Sequence, residues 1–337
     1  MNILVVGPSW VGDTVISQSL LMLLKQRHPS AQIDYLAPPW TLPLLARMPE
    51  VRRGISNPFG HGALRLGARH ALGKSLRDMA FDQALVLPNS WKSALIPWSA
   101  GIALRSGFRG EARWGLLNDV RRLDAAALPQ MVQRFAALAL PDGTTLPFSL
   151  PRPALQSTPV QQQTLLARLG LTTDKPVIAF CPGAEYGPAK RWPEAHFAAL
   201  ARLLSARGCG VWLVGSPKDH AVAETIAQDA AGACINLCGK TDIAEAADLL
   251  AASRLVVTND SGLMHVAAAV GRPVIALYGS SSPQFTPPLS TDASILTLSL
   301  ECSPCFQREC PLGHFKCLKD LSPRRVFAAI DFARIGA

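Results

Sequence analysis

The sequence has no run of about 18 uninterrupted apolar residues, so an ordinary transmembrane helix is not expected. Its first residues lack a basic n-region, and Asp13 interrupts the apolar stretch that follows, which argues against a secretory signal. No repeat of about 20–50 residues is visible, which sets aside solenoids and propellers. Eight cysteines in 337 residues do not make a secreted disulfide scaffold. G-x-G-x-x-G is missing, as are G-x-x-x-x-G-K-[ST] and any D-x-D pattern, so no dinucleotide fingerprint, P-loop or metal–phosphate motif presents itself. Helix-turn-helix, RNP and zinc-finger patterns are also absent, and nucleic acid is not an expected partner. What remains is a 49% hydrophobic, 17% charged chain, a globular mixture of a length that suits two domains. The expectation is a soluble, cytoplasmic protein.

The charge is unevenly spread. Residues 1–168 hold 18 of the 33 Lys and Arg but only 9 of the 24 Asp and Glu, so the whole excess of +9 lies in the first half. A basic half suits an acidic partner: nucleic acid, an anionic membrane surface or a phosphorylated substrate. The alternative is a solvated basic face with no partner.

Strand and helix patterns alternate. Met1–Gly7 is a β-branched apolar run ending in glycine, a buried parallel strand; a loop to Asp13 and a helix over Thr14–Arg27 follow. Further strands are expected at Ile33–Ala37 and Gln83–Leu87. Prolines at 141, 147, 151, 153 and 159 mark a linker. The pattern then restarts with strands at Pro176–Cys181, Val211–Gly215, Arg254–Thr258 and, last, Val274–Tyr278. Helices are expected between them and over Pro323–Ile335. This is an α/β chain of two doubly wound domains, with functional loops at the carboxyl ends of the strands, lining a crevice between the domains.

Four motifs carry chemistry. In Gly7-Pro-Ser-Trp-Val-Gly-Asp13, Asp13 is either a general base or a helix N-cap. In Cys181-Pro-Gly-Ala-Glu-Tyr-Gly-Pro-Ala-Lys-Arg-Trp-Pro193, Lys190 and Arg191 precede a helix and can neutralise a phosphate, or are simply surface cations. In Val256–His265, Ser261 and Gly262 can offer amides to an anion, Asp260 can accept from hydroxyls, and His265 either faces that ligand or is a packed polar residue. Cys302, Cys305, Cys310 and Cys317, with His314 among them, read as a structural metal site, a local disulfide or reduced thiols. On the basic side, Asn89 and Lys92 follow the strand ending at Leu87, and Arg105, Arg109 and Arg113 can form a face for an acidic partner.

Taken together, these motifs resemble the ADP-heptose:lipopolysaccharide heptosyltransferases, glycosyltransferase family 9, closest to its heptosyltransferase II branch. Val86–Ser93, Gly115–Asp119, Thr258–Ala268 and Ser281–Leu289 carry the resemblance beside the two glycine-containing loops. The resemblance implies the two-domain GT-B fold, with an acceptor domain over 1–160, a donor domain over 161–321, and a last helix, 322–337, returning to the first domain. It implies an inverting, metal-independent transfer of heptose from ADP-heptose to the first heptose of the lipid A-linked inner core, with no cofactor, at the cytoplasmic face of the inner membrane. Asp13 matches the family's catalytic base. Lys190, Asp260, Ser261, Gly262 and His265 match its donor site, and Asp219 stands near its ribose carboxylate. The acceptor side is expected at Trp10, Asn89, Lys92, Arg105, Arg109 and Arg113. Another family member acting on a different acceptor, or a sugar-nucleotide epimerase or hydrolase on the same scaffold, remains the alternative.

Overall fold

A computed structural model describes residues 1–60 and 62–336; Ala337, the end of the expected C-terminal segment, lies outside them. The chain divides into two units, Met1–Pro153 and Ala154–Ala337. Each is built on one six-stranded, wholly parallel sheet.

The first sheet consists of β1 (Asn2–Val6), β2 (Gln32–Ala37), β3 (Val51–Ser56), β4 (Gln83–Val86), β5 (Leu104–Phe108) and β6 (Asp119–Arg121), in the spatial order β3-β2-β1-β4-β5-β6. The second consists of β7 (Val177–Cys181), β8 (Gly210–Leu213), β9 (Cys234–Asn236), β10 (Leu255–Asn259), β11 (Val274–Leu277) and β12 (Ala293–Leu296), in the order β12-β11-β10-β7-β8-β9. Counted from each unit's own first strand, both orders are the same: the first strand lies between the second and the fourth. The strand order therefore reverses direction between β1 and β4, where Val6 pairs with Val86, and between β7 and β10, where Cys181 pairs with Thr258. A parallel sheet leaves a loop crevice at the carboxyl end of such a switch point.

The central strands are apolar runs because both faces are covered: every residue of β7 and of β10 is buried. Helix Glu194–Ser205 shows the matching stripe, burying Phe197, Leu200, Ala201 and Leu204 on the second sheet.

Two expectations are corrected. Val274–Leu277 is not the last strand, since β12 pairs beyond it. Thr14–Arg27 is not one helix: the helical segments Val11–Ile16 and Gln18–Arg27 meet at Ser17, whose hydroxyl donates to Thr14 O at 2.7 Å and whose carbonyl accepts from Leu20 N at 3.0 Å, a tighter turn between the two segments. Leu155 N donates to Ala269 O and Ser157 Oγ to Asp248 Oδ1, within the second unit, which begins at Ala154. The end of the chain adds to the core of the second unit. Two short helices, Pro323–Ala328 and Phe332–Ile335, bury Val326, Ile330 and Ile335 in that unit's core, because its outer apolar face supplies the partner surface.

Candidate functional site

In the first unit, the loop after β1 is shaped by Gly7. A Cβ there would stand 2.1 Å from the Tyr35 ring, so only glycine lets the strand end pass this buried side chain. The chain turns at Trp10 and enters helix Val11–Ile16, with Asp13 in its first turn. Trp10, and not Asp13, holds the N-cap position: Trp10 O accepts from Thr14 N at 2.9 Å. The Asp13 carboxylate is partly buried, and its charge acts on Tyr35, whose hydroxyl also pairs with Ser17 Oγ at 2.7 Å. Burial, with a smaller push from Asp13, holds the Tyr35 hydroxyl protonated.

The neighbouring loop, after β4, brings Asn89 and Lys92 to the same end of the sheet. Lys92 lies in the first turn of helix Trp91–Ser99, where a cation opposes the helix dipole. An anionic ligand there would offset that cost. Arg113 is a different matter. It is 2% exposed, and its guanidinium donates to Pro88 O at 2.6 Å, to Asn89 Oδ1 at 3.4 Å and to Phe108 O. Arg105 likewise donates to Leu116 O at 2.6 Å and to Ile102 O. Both arginines serve loop carbonyls, whereas Arg109 is exposed. Nothing in the sequence told the guanidinium that clamps a loop from one that meets solvent.

In the second unit, the structure brings most of the expected donor residues together. Lys190 Nζ donates to Asp260 Oδ2 at 2.6 Å and lies 5.0 Å above the Tyr186 ring. Their side chains are 18% and 5% exposed, so the pair is largely desolvated. Asp260 ends the β10 loop, and Ser261 caps helix Gly262–Ala269 with no side-chain bond closing its first turn. That first turn carries no acidic residue, and the unpaired amides of a helix N-terminus suit an anion. His265 is buried, and its Nδ1 has no hydrogen-bond partner. Burial pulls its pKa down to about 4; Asp260 opposes the shift and Lys190 adds to it. At neutral pH it is an uncharged imidazole. Asp219 stands across the same loop. Its Oδ2 accepts from Ser216 N at 2.9 Å and from Ser216 Oγ at 2.7 Å, and its carboxylate lies under Gly183 so closely that a Cβ there would meet Oδ1 at 2.3 Å.

Four residues had no role assigned from the sequence. Asn259 is wholly buried and clips both ends of the Lys190 loop, donating to Pro182 O at 2.7 Å and accepting from Trp192 N at 3.0 Å. Its only signal was a polar residue closing an apolar strand. Tyr186 gives Lys190 an aromatic face and donates to Phe306 O at 2.7 Å. Ser280 and Ser281, just beyond β11, are buried with hydroxyls that have no partner. In this unit the arrangement can neutralise a diphosphate and hydrogen-bond a sugar nucleotide; in the first it can accept a proton.

The chain matches the family model for glycosyltransferase family 9 (heptosyltransferase) over residues 69–316. It is 49% identical to lipopolysaccharide heptosyltransferase 2 of Escherichia coli K12, over 98% of both chains. It is 52% identical to lipooligosaccharide heptosyltransferase 2 of Haemophilus influenzae, over 88% of this chain and 89% of that one. Its structure is similar to that of the E. coli ADP-heptose lps heptosyltransferase II, with a TM-score of 0.89 and 47% identity, over 99% of this chain and 98% of the other.

Proposed function

The chain belongs to glycosyltransferase family 9, the heptosyltransferases, and on that premise we propose that it moves L-glycero-D-manno-heptose from ADP-heptose to the first heptose of the lipopolysaccharide inner core, with inversion. The observation that carries this reading is the desolvated Lys190–Asp260 pair at the open first turn of helix Gly262–Ala269, in a chain about half identical, end to end, to proteins named for that transfer.

The chemistry follows from the residues. An acceptor hydroxyl attacks the anomeric carbon from the face opposite the leaving diphosphate, and its proton passes to the Asp13 carboxylate. The new C–O bond forms as the bond from the anomeric carbon to the phosphate oxygen breaks, and the electron pair stays with ADP. One displacement inverts the centre. General-base help is worth about 10²–10⁴-fold. Negative charge grows on the departing ADP, and Lys190 with the amides at Ser261 and Gly262 is placed to stabilise it without a divalent cation. Asp260 fixes Lys190 in place, and neutral His265 offers a hydrogen bond instead of a charge. Asp219, held by Ser216, is the candidate partner of the ribose hydroxyls.

On the acceptor side, Trp10, Asn89, Lys92 and exposed Arg109 are the candidates to meet an anionic, lipid A-linked core oligosaccharide. No described helix is long and apolar enough to cross a membrane, and the excess of Lys and Arg in residues 1–168 favours work at an anionic cytoplasmic leaflet. Incubation with ADP-heptose and heptosyl-Kdo2-lipid A, read by mass spectrometry, tests the proposal. One added heptose on that acceptor supports it. ADP release with no sugar on any truncated core would sink it.

A further inference from the structure

One wall of the Lys190 loop, at Ala189, closes a small cavity of about 20 Å³. Cys302, Cys305, Cys310 and Cys317 all line it, with His314 and Ser280. In the sequence, these cysteines are spread over sixteen residues; in the fold they converge on one space large enough for a single ion or water. Three further observations bear on its content. None of the eight cysteines is in a disulfide. The turn from Cys310 to Phe315 folds over the Cys310 sulfur, which accepts the Phe315 N–H at 3.4 Å, so the loop already wraps this sulfur at the cavity. Ser280 is 1% exposed and its hydroxyl has no partner among the described residues, which leaves a buried dipole beside the cavity.

We propose that this cavity binds one thiophilic divalent cation, zinc in chemical class, through the thiolates of Cys302, Cys305, Cys310 and Cys317. The lining contains sulfur and imidazole but no carboxylate, a donor set that selects zinc over magnesium or calcium. Among the described residues no three His, Cys, Asp or Glu side chains already converge at ligand positions, so binding draws the thiols inward by side-chain rotation and releases their protons to solvent.

The cation would have a structural consequence. Between Cys305 and Cys310 the chain forms an outer strap on the Lys190 loop. Phe306 N donates to Ser280 O at 2.6 Å, Phe306 O accepts from the Tyr186 hydroxyl, and Arg308 O accepts from Ala189 N at 3.0 Å. A Cβ on Gly187 would meet Arg308 O at 2.5 Å, so strap and loop touch backbone to backbone. By fixing both ends of the strap, the cation positions Lys190. This second half rests on the donor-site reading given above.

The test is metal analysis of the full-length protein, purified under reducing conditions from cells supplied with zinc. The expected content is about one zinc per chain. It should vanish in Cys302→Ser/Cys305→Ser and persist in Cys209→Ser/Cys234→Ser. Should the first variant not fold, cobalt substituted into the wild-type protein gives the thiolate-to-cobalt charge-transfer absorption. Wild-type protein without stoichiometric metal, metal that survives loss of both cysteines, or alkylation showing a native disulfide within the cluster would overturn the site. Stripping the metal should weaken ADP binding about tenfold by calorimetry, the loss of one or two hydrogen bonds' worth of positioning. Unchanged ADP affinity in stripped protein would overturn the positioning role. Metal-replete protein that fails to bind ADP at all would instead remove the donor-site reading and leave the metal site standing.

Discussion

Lys190 Nζ and Asp260 Oδ2 meet at 2.6 Å, and the carboxylate is the more deeply buried of the two. The pair therefore has two roles that mutation can separate. Lys190→Ala leaves Asp260 as an uncompensated buried charge, with an expected stability loss of about 3–5 kcal/mol. It should also weaken ADP binding and slow transfer together, because the ammonium acts on bound and departing diphosphate alike. Adding Asp260→Asn should recover much of the stability and none of the activity. Denaturant unfolding and steady-state kinetics on both single variants and the double variant check this. A double variant that regains activity along with stability would mean that Lys190 is only structural.

His265 predicts a pH dependence. Its folded value of about 4 lies below the 6.5 of an ordinary histidine, so the unfolded chain takes up the proton first. The stability tied to the neutral ring is complete above pH 6.5 and is lost as pH falls toward 4, by up to about 1.4 kcal/mol per pH unit. His265→Gln should flatten that part of the profile. Parallel stability curves for the two proteins between pH 7 and 4.5 would refute the assignment.

The basic residues of the first unit should fall into two groups. Arg113→Ala leaves loop carbonyls such as Pro88 O without their donor and should cost about 1–3 kcal/mol of stability. Lys92→Ala and Arg109→Ala should leave stability alone, raise the acceptor KM and spare the donor KM. Their effect should shrink with added salt, since exposed charges are screened over about 8 Å at physiological ionic strength. Equal shifts in the two KM values, or acceptor binding that ignores salt, would point to another cause for the charge asymmetry.

On the proposed donor site, in which Lys190 and the amides at Ser261 and Gly262 neutralise the diphosphate, transfer should run equally well in magnesium-free buffer and with magnesium added. A strict requirement for added magnesium would show that they do not suffice.

How far the sequence could be read depended on burial. Strands β1, β7 and β10 were legible because two covered faces make an unbroken apolar run. Strand β3, Val-Arg-Arg-Gly-Ile-Ser, was not, because an edge strand open to solvent keeps no such run. The loops after the first and fourth strand of each sheet stood out through Gly, Asp, Asn and Lys, and the shared strand order explains why: those are the switch points. Asp13, Lys190 and Asp260 stood out in their loops and family resemblance chose among their roles, whereas the Lys190–Asp260 pairing came only from the fold. For Arg105 and Arg113 the sequence shows a charge and not the loop carbonyls it serves. The cysteines showed a spacing, and only the fold turned that spacing into one cavity.

The most direct test of the account is heptose transfer by wild-type protein beside Asp13→Asn, with ADP affinity measured on both. The asparagine keeps the shape and cannot take the acceptor's proton. The account predicts transfer to heptosyl-Kdo2-lipid A by the wild type, a kcat about 10²–10⁴-fold lower in the variant, and nearly equal ADP binding. Near-normal turnover by a folded Asp13→Asn protein would contradict it.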